Sequence, residues 1–214
     1  MSDVTEQELT ELERDALQEI LNIGFGRAAA DLTEIIDLHV LLSVPYIAII
    51  RADALISYLH RELPEGTDLS MVSQVFYGRF SGNSFLIFPD GERRKLLSLF
   101  DDELPLDCGF EGSDTLERES LMEIGNLIIG ACIGKVAELL GDEVTYDPPR
   151  FFSHEQVQAT ISNLVNSADS FAIVFKNVFG FDQYKVNGYQ FMICRYQTMP
   201  WLKKAIAEFL APYV

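Results

Sequence analysis

Apolar side chains recur at helical spacing near the start of the chain. In LERDALQEILNIGF, which begins at Leu12, apolar residues return every three or four positions, and charged or polar residues fill most positions between them. This period is that of an amphipathic helix with one face against a core. A run with the same pattern, LERESLMEIGNLIIG, begins at Leu116 and predicts a second helix, for which Ser113 and Asp114 are candidate caps.

Strand patterns fill much of the remaining chain. Five segments rich in β-branched and aromatic residues predict strands at 39–44, 70–80, 83–88, 170–179 and 188–196. A tight Ser-Gly-Asn turn is expected between the second and the third of them. Two amphipathic segments, at 92–100 and 201–210, each follow a predicted hairpin and predict two further helices.

The chain also repeats itself. With a shift of 104 residues, the two halves align without gaps from Leu12 to Pro45. The identical pairs include Leu12/Leu116, Glu13/Glu117, Arg14/Arg118, Leu17/Leu121, Glu19/Glu123, Ile20/Ile124, Asn22/Asn126, Gly26/Gly130 and Pro45/Pro149. We therefore predict a single α/β (α+β) domain over residues 1–214, internally duplicated into halves 1–104 and 105–214. It should have pseudo-two-fold symmetry and a mainly antiparallel central sheet flanked by long helices.

The charge balance narrows the choice of partners. The chain carries 33 acidic and 16 basic residues, a net charge of −17. Such a surface repels phosphate backbones and anionic lipid headgroups, so nucleic acids and membrane surfaces are poor partners. A protein with exposed lysine or arginine would suit it better, although acidity that only keeps the protein soluble is the plainer interpretation of charge alone.

The expected location is the cytoplasm. The N-terminus is polar and acidic, unlike a secretory signal, and no apolar run reaches the length expected of a membrane span. The cysteines Cys108, Cys132 and Cys194 are odd in number and far apart, which argues against a disulfide framework or a cysteine-based zinc site.

Each copy of the first helix carries a polar trio on one face. Asp15, Glu19 and Asn22 lie at i, i+4 and i+7, within roughly 60° of one another around a helix. The second copy has Glu119, Glu123 and Asn126. Carboxylates at i and i+4 repel each other by ~0.2–0.5 kcal/mol, and asparagine is a weak helix former. Because no basic residue relieves this repulsion on that face, a cation from a partner or a bound metal ion would do so.

Simpler interpretations compete with a functional one. A single trio is most often a solvated helix face, and an asparagine can bond local backbone near a helix end. A metal site with three ligands on one helix would lack the further ligands that a second element supplies, and His39, His60 and His154 have no metal-ligand spacing. The glycine-rich stretches at 24–30 and 130–134 do not match a phosphate-binding loop, so we predict that they allow close packing. Recurrence of Glu and Asn in both copies favours a functional site.

These residues carry a family resemblance. The pattern Asp/Ser-x3-Glu-x2-Asn-x22-Pro resembles the signature of the CheC/CheX/FliY phosphatases of bacterial chemotaxis. The matching residues are Asp15, Glu19, Asn22 and Pro45 in the first copy and Glu123, Asn126 and Pro149 in the second. Glu119 departs from the pattern, because the family has Asp or Ser there. Two copies in one short chain resemble the CheC-like members.

The resemblance implies an activity. The substrate would be the acyl phosphate on the aspartate of a CheY-like receiver domain, with Mg²⁺ supplied by the receiver and no cofactor of the chain's own. It implies that Asn22 and Asn126 orient the attacking water. Glu19 and Glu123 would dock on the receiver's lysine, with Asp15 and Glu119 adding contacts and Pro45 and Pro149 serving the structure. The receptor deamidase CheD is implied as a further partner.

Two other functions stay open at this point. One is a binding module that recognises a phosphorylated receiver, or sits in a flagellar switch, without hydrolysing anything. The other is metal-dependent hydrolysis by the carboxylate-Asn trio.

Overall fold

The computed structural model describes residues 9–36, 39–43, 47–62, 68–89, 92, 113–165, 170–181 and 184–213. The helices are α1 (Glu11–Ile36), α2 (Leu55–Glu62), α3 (Ser113–Leu139), α4 (His154–Val165) and α5 (Met199–Leu210). The strands are β1 (Val40–Ser43), β2 (Ile47–Arg51), β3 (Leu69–Tyr77), β4 (Gly82–Pro89), β5 (Thr145–Tyr146), β6 (Arg150–Phe152), β7 (Ser170–Phe181) and β8 (Tyr184–Arg195). Pro45, Cys108 and the helix predicted at 92–100, apart from Glu92, lie outside the described residues.

The strands form one antiparallel sheet. Its order is β1-β7-β8-β4-β3-β5, with β2 also on β7 and β6 also on β3. Helices and an antiparallel sheet together confirm the predicted fold class. The short strands β1 and β2 pair with β7, whereas β5 and β6 pair with β3. The short strands of each half of the sequence therefore pair with a long strand of the other half. The same order of elements follows α1 and α3; the duplication and the limits of its halves stay predictions.

Both faces of the sheet are covered. Successive residues of a strand point to opposite faces, and Met71 and Val72 accordingly belong to different core clusters. Val72 packs with α1, α3 and α5, and Met71 packs with α2 and α4. Burial on both faces explains why apolar residues occur on both faces of β3 and β4.

Local signals fix where α1 begins and how closely it packs. Thr10 Oγ1 accepts a hydrogen bond from Glu13 N (3.2 Å), and Glu13 Oε2 accepts one from Thr10 N (2.7 Å). This reciprocal pair is a capping box. Further along, a Cβ on Gly24 would lie 2.9 Å from Val136 Cγ2, so this glycine allows α1 to touch α3. The prediction that the glycine-rich stretches allow close packing is wrong for Gly26 and Gly130, where an added Cβ would meet nothing within 4 Å.

Three further details differ from the sequence-based expectations. The tight Ser-Gly-Asn turn is wrong, because Gly82 and Asn83 already belong to β4 and the chain bends at 78–80. The strands β2, β5 and β6 and the helices α2 and α4 were not predicted as such. Finally, Thr115–Leu139 is long and apolar enough to cross a membrane by length and composition, although half of its apolar window is buried inside the protein.

Candidate functional site

The first polar trio lies on the solvent-facing side of α1. Asp15, Glu19 and Asn22 are exposed, and the residues beside them, such as Leu17 and Ile20, are fully buried. No side-chain hydrogen bond or ion pair holds any of the three within the described part of the chain. The carboxylates and the carboxamide are therefore presented to solvent on a helix that the core holds in place.

The second trio is presented in the same way on α3. Glu119, Glu123 and Asn126 are exposed, and Leu121 and Ile124 turn into the core. The structure thus exposes all six predicted site residues on α1 and α3, in two separate faces, and tests none of their roles. Of the two motif prolines, Pro149 is half-buried between β5 and β6.

Each exposed face begins with a leucine. Leu12 is 63% exposed and Leu116 is 47% exposed, although their helical spacing with apolar neighbours would place them in a core. Leu12 precedes Asp15 by three residues, and Leu116 precedes Glu119 by three residues. Each face therefore combines an apolar side chain, two carboxylates and an asparagine, a composition suited to a protein surface with apolar and basic groups.

The two asparagines differ in their surroundings. Asn126 Oδ1 accepts a hydrogen bond of 2.6 Å from Nε2 of Gln74, a residue of β3 that is 3% exposed. The same Nε2 donates to the backbone oxygen of Asp147 at 3.0 Å. Asn22 has no such partner among the described residues. The α3 asparagine is consequently anchored to the sheet, whereas the α1 asparagine is not.

Asp147 itself is held firmly. Its N–H donates to Val75 O at 3.0 Å, and its carboxylate Oδ2 accepts a hydrogen bond from Tyr77 Oη at 2.7 Å. That hydrogen bond raises the pKa of Tyr77, because the phenol proton is shared with a carboxylate. Pro148 follows Asp147 and restricts its backbone to extended conformations.

A glycine brings α3 to the sheet beside this network. A Cβ on Gly125 would lie 2.5 Å from Val72 Cγ1 on β3, so only glycine fits at this distance. The first copy has Leu21 at the equivalent position. Gln74 shares a strand face with Val72, which lets its carboxamide reach the residue after Gly125.

Sequence reasoning missed Gln74, Tyr77 and Asp147. The available signal was Gln74 itself, a long polar side chain between Val72 and Phe76 on one face of the strand segment MVSQVF. A buried carboxamide requires partners. Neither Asn126 nor Asp147 is near it in the sequence, however, so only the fold reveals the contact.

Other candidate sites are weaker. A groove of about 450 Å³ lies beside the start of α3, and none of the predicted site residues lines it. Its lining includes Asp68, Arg118 and His154. Among the described residues, no group of three or more His, Cys, Asp or Glu side chains could hold a metal ion. Cys132 and Cys194 are free and buried, and burial raises the pKa of both thiols.

Comparison with known proteins gives a consistent direction. No family model matches the chain. It is 24% identical over 134 residues to the CheY-P phosphatase CheC of Bacillus subtilis (strain 168), a match that covers 61% of this chain and 61% of that protein. The chain thus matches somewhat less than two thirds of the length of this curated relative.

Solved structures share the fold. Thermotoga maritima FliY superposes with a TM-score of 0.70 at 19% identity, covering 96% of this chain and 99% of that one. The FliM middle domain from H. pylori superposes with a TM-score of 0.54 at 12% identity, covering 92% and 99%. The resemblance to chemotaxis proteins of the CheC/CheX/FliY type, predicted from the doubled motif, is confirmed.

Proposed function

We propose that the chain is a phosphatase that hydrolyses the aspartyl phosphate of a CheY-like response regulator, with one site on α1 and one on α3. The observation that carries the proposal is the exposure of a Glu-x-x-Asn pair on each of two helices whose opposite faces are locked in the core. The similarity to a protein named CheY-P phosphatase supports the same activity. A cytoplasmic location is part of the proposal.

The chemistry asks little of the chain. A water oxygen attacks phosphorus, the bond between phosphorus and the aspartate oxygen breaks, and the products are a free carboxylate and inorganic phosphate. In such transfers, positioning and charge stabilisation supply most of the rate, and the receiver's own Mg²⁺ already neutralises the phosphoryl oxygens. A carboxamide oxygen on Asn22 or Asn126 can accept a hydrogen bond from the water and hold it in line.

The remaining residues of each face would dock the receiver. Glu19 and Glu123, one turn before the asparagines, can pair with a lysine beside the phosphorylated aspartate. Asp15 and Glu119 extend the acidic strip, and the exposed side chains of Leu12 and Leu116 supply an apolar contact at its end. The net charge of −17 favours approach of a basic surface.

The first test is the decay of a phosphorylated CheY-like receiver. The chain should accelerate the loss of phosphate, Asn22→Ala and Asn126→Ala should each remove part of this acceleration, and the double variant should return decay to the receiver's own rate. The reason is that alanine leaves no group to orient the water, while docking through the glutamates persists. Decay is followed as release of inorganic phosphate under single-turnover conditions.

A matched control separates position from residue type. Asn163 is an exposed asparagine on α4, against the opposite face of the sheet, and Asn163→Ala should leave the rate unchanged. Full activity in the folded double variant would contradict the assignment of Asn22 and Asn126.

A second candidate function is a binding module without hydrolysis. The fold shared with the FliM middle domain favours it, and a chain of a FliG–FliM complex from H. pylori also superposes with a TM-score of 0.55 at 14% identity over 92% of this chain. A chain that binds a phosphorylated receiver tightly and leaves its phosphate lifetime unchanged would establish this alternative.

A further inference from the structure

We infer that Gln74 is a positioning residue for the α3 site, holding the Asn126 carboxamide in its working orientation before the receiver docks. The inference rests on the proposed function and adds a residue that the Glu-x-x-Asn motif does not contain. It also makes the two sites unequal, because the α1 site has no described counterpart of this hydrogen bond.

The orientation of Gln74 follows from its acceptors. Nε2 lies 2.6 Å from Asn126 Oδ1 and 3.0 Å from the backbone oxygen of Asp147. Both of these atoms are acceptors, so a flipped carboxamide would set Oε1 against the Asp147 oxygen. Because the backbone of Asp147 is tied to Val75 and its carboxylate to Tyr77, its carbonyl cannot easily turn away. The donor end of Gln74 must therefore face Asn126.

The orientation of Asn126 then follows from Gln74. A donor on Gln74 requires an acceptor opposite it, which fixes Oδ1 toward the sheet and leaves Nδ2 on the other side of the carboxamide. A carbonyl oxygen has two lone pairs, so one remains for the attacking water. An asparagine held in this way does not lose rotamer freedom when the receiver binds, which is the usual benefit of a supporting hydrogen bond behind a functional side chain.

The unsatisfied atom of Gln74 points to function rather than to fold. Its Oε1 is buried and has no hydrogen-bond partner in the described structure. A buried acceptor without a donor costs stability, and an apolar side chain of similar shape would avoid that cost. Gln74 therefore carries a stability cost at Oε1, and its side chain provides the hydrogen bond to Asn126 together with the one to the Asp147 backbone oxygen.

The experiment compares Gln74→Met in two backgrounds. Methionine keeps the length and flexibility of glutamine and removes the donor. In Asn22→Ala, where only the α3 site works, adding Gln74→Met should lower kcat for receiver dephosphorylation by about 2- to 12-fold, the net worth of the hydrogen bond to Asn126. The hydrogen bond to the Asp147 backbone oxygen is lost as well, but that loss is common to both backgrounds. The KM for the receiver should stay within about 2-fold, because Glu119 and Glu123 are untouched.

The Asn126→Ala background shows whether Gln74→Met damages the fold in general. In Asn126→Ala, where only the α1 site works, Gln74→Met should cause no further decrease. Gln190→Met provides a matched control, since Gln190 is also a fully buried strand glutamine but its side-chain amide faces Ser84 Oγ at 3.4 Å. This variant should leave kcat in the Asn22→Ala background unchanged.

Each alternative outcome has a separate meaning. Equal losses in both backgrounds, or no loss in either, would overturn the positioning role while leaving the phosphatase intact. A wild-type chain that does not accelerate decay would overturn the proposed function and the positioning role together.

Nuclear magnetic resonance tests the contact itself: the Gln74 side-chain amide protons should exchange slowly in the wild type and faster in Asn126→Ala. Equal exchange in the two proteins would contradict the hydrogen bond.

Discussion

Gly24 and Gly26 show how different two neighbouring glycines of one helix can be. Gly24 is buried, with Val136 where its side chain would be, whereas Gly26 is exposed with open space around it. Both lie within α1 and cost helix stability, because glycine is about 1 kcal/mol less favourable than alanine in a helix interior. Only the first cost is offset by a contact inside the chain.

Alanine substitutions at these two positions should therefore have opposite effects. Gly26→Ala should raise the free energy of unfolding by about 0.5–1 kcal/mol, since it removes the glycine penalty and creates no clash. Gly24→Ala should lower it by about 1–3 kcal/mol, because the new methyl group would lie 2.9 Å from Val136 Cγ2 and 3.3 Å from Val136 N. Urea denaturation of the two variants measures both changes, and equal shifts would contradict this packing.

At this scale the sequence predicts part of the site. Glu19, Asn22, Glu123 and Asn126 could be singled out because the repeat places each pair at the same helical spacing. Gln74 could not, because its role depends on Gly125 bringing α3 against β3, a contact between residues 51 positions apart (125 − 74). Patterns along the chain report which side chains share a helix face, but not which strand lies beneath them.

Elements were predictable in proportion to their length. The helices α1 and α3 span seven turns of regular pattern, and β7 and β8 are strands of 12 residues that contain many β-branched and aromatic side chains, so their local propensity could be recognised. The strand β5 has two residues and β6 has three, too few for an alternation to be recognised. Their structure comes from pairing with β3 and from side-chain contacts to α3.

Tyr146 is the contact that fastens β5 to α3. Its hydroxyl donates to Gly130 O at 3.1 Å, and burial raises the pKa of Tyr146 to about 12. In the unfolded chain a tyrosine loses its proton near pH 10. Between about pH 10 and 12 the folded state therefore binds more protons than the unfolded state, and the stability that Tyr146 provides falls as pH rises through that range.

Tyr146→Phe should reveal this pH dependence. At pH 8 the variant should be less stable by about 0.5–1.5 kcal/mol, the net worth of the lost hydrogen bond. Above pH 10 the gap should narrow, because phenylalanine has no proton to lose on unfolding. Urea unfolding of both proteins at pH 8, 10 and 11 measures the gap, and a constant difference would show that Tyr146 titrates alike in both states.

Strand pairing between the two halves of the sequence holds the whole molecule together. The hairpin β3–β4 receives β5 and β6, and the hairpin β7–β8 receives β1 and β2. The two hairpins meet through β4 and β8 at the centre of the sheet. Above that sheet, α1 and α3 contribute side chains to one continuous core. Neither half of the sequence thus contains the partners of its own outer strands.

The sheet topology predicts what happens when the chain is divided after residue 104, a position outside the described residues. Residues 105–214 alone would leave β7 without β1 and β2, β8 without β4, and β5 and β6 without β3. Unpaired edges and half a core leave too little buried surface to offset the entropy of folding. We expect this fragment not to fold as a monomer, and residues 1–104 to behave in the same way.

Mixing the two fragments should restore the fold, because every strand pairing would again be available without a covalent link. Circular dichroism, light scattering and urea titration on each fragment and on the mixture would follow this recovery. A cooperative unfolding transition from a monomeric 105–214 fragment would show that the second half holds its own core, contrary to the observed pairing. If the mixture recovers both the fold and receiver dephosphorylation, the Asn22→Ala and Asn126→Ala changes can be made in separate fragments. The dephosphorylation rates of the α1 site and the α3 site could then be compared in one assembly that contains one copy of each fragment.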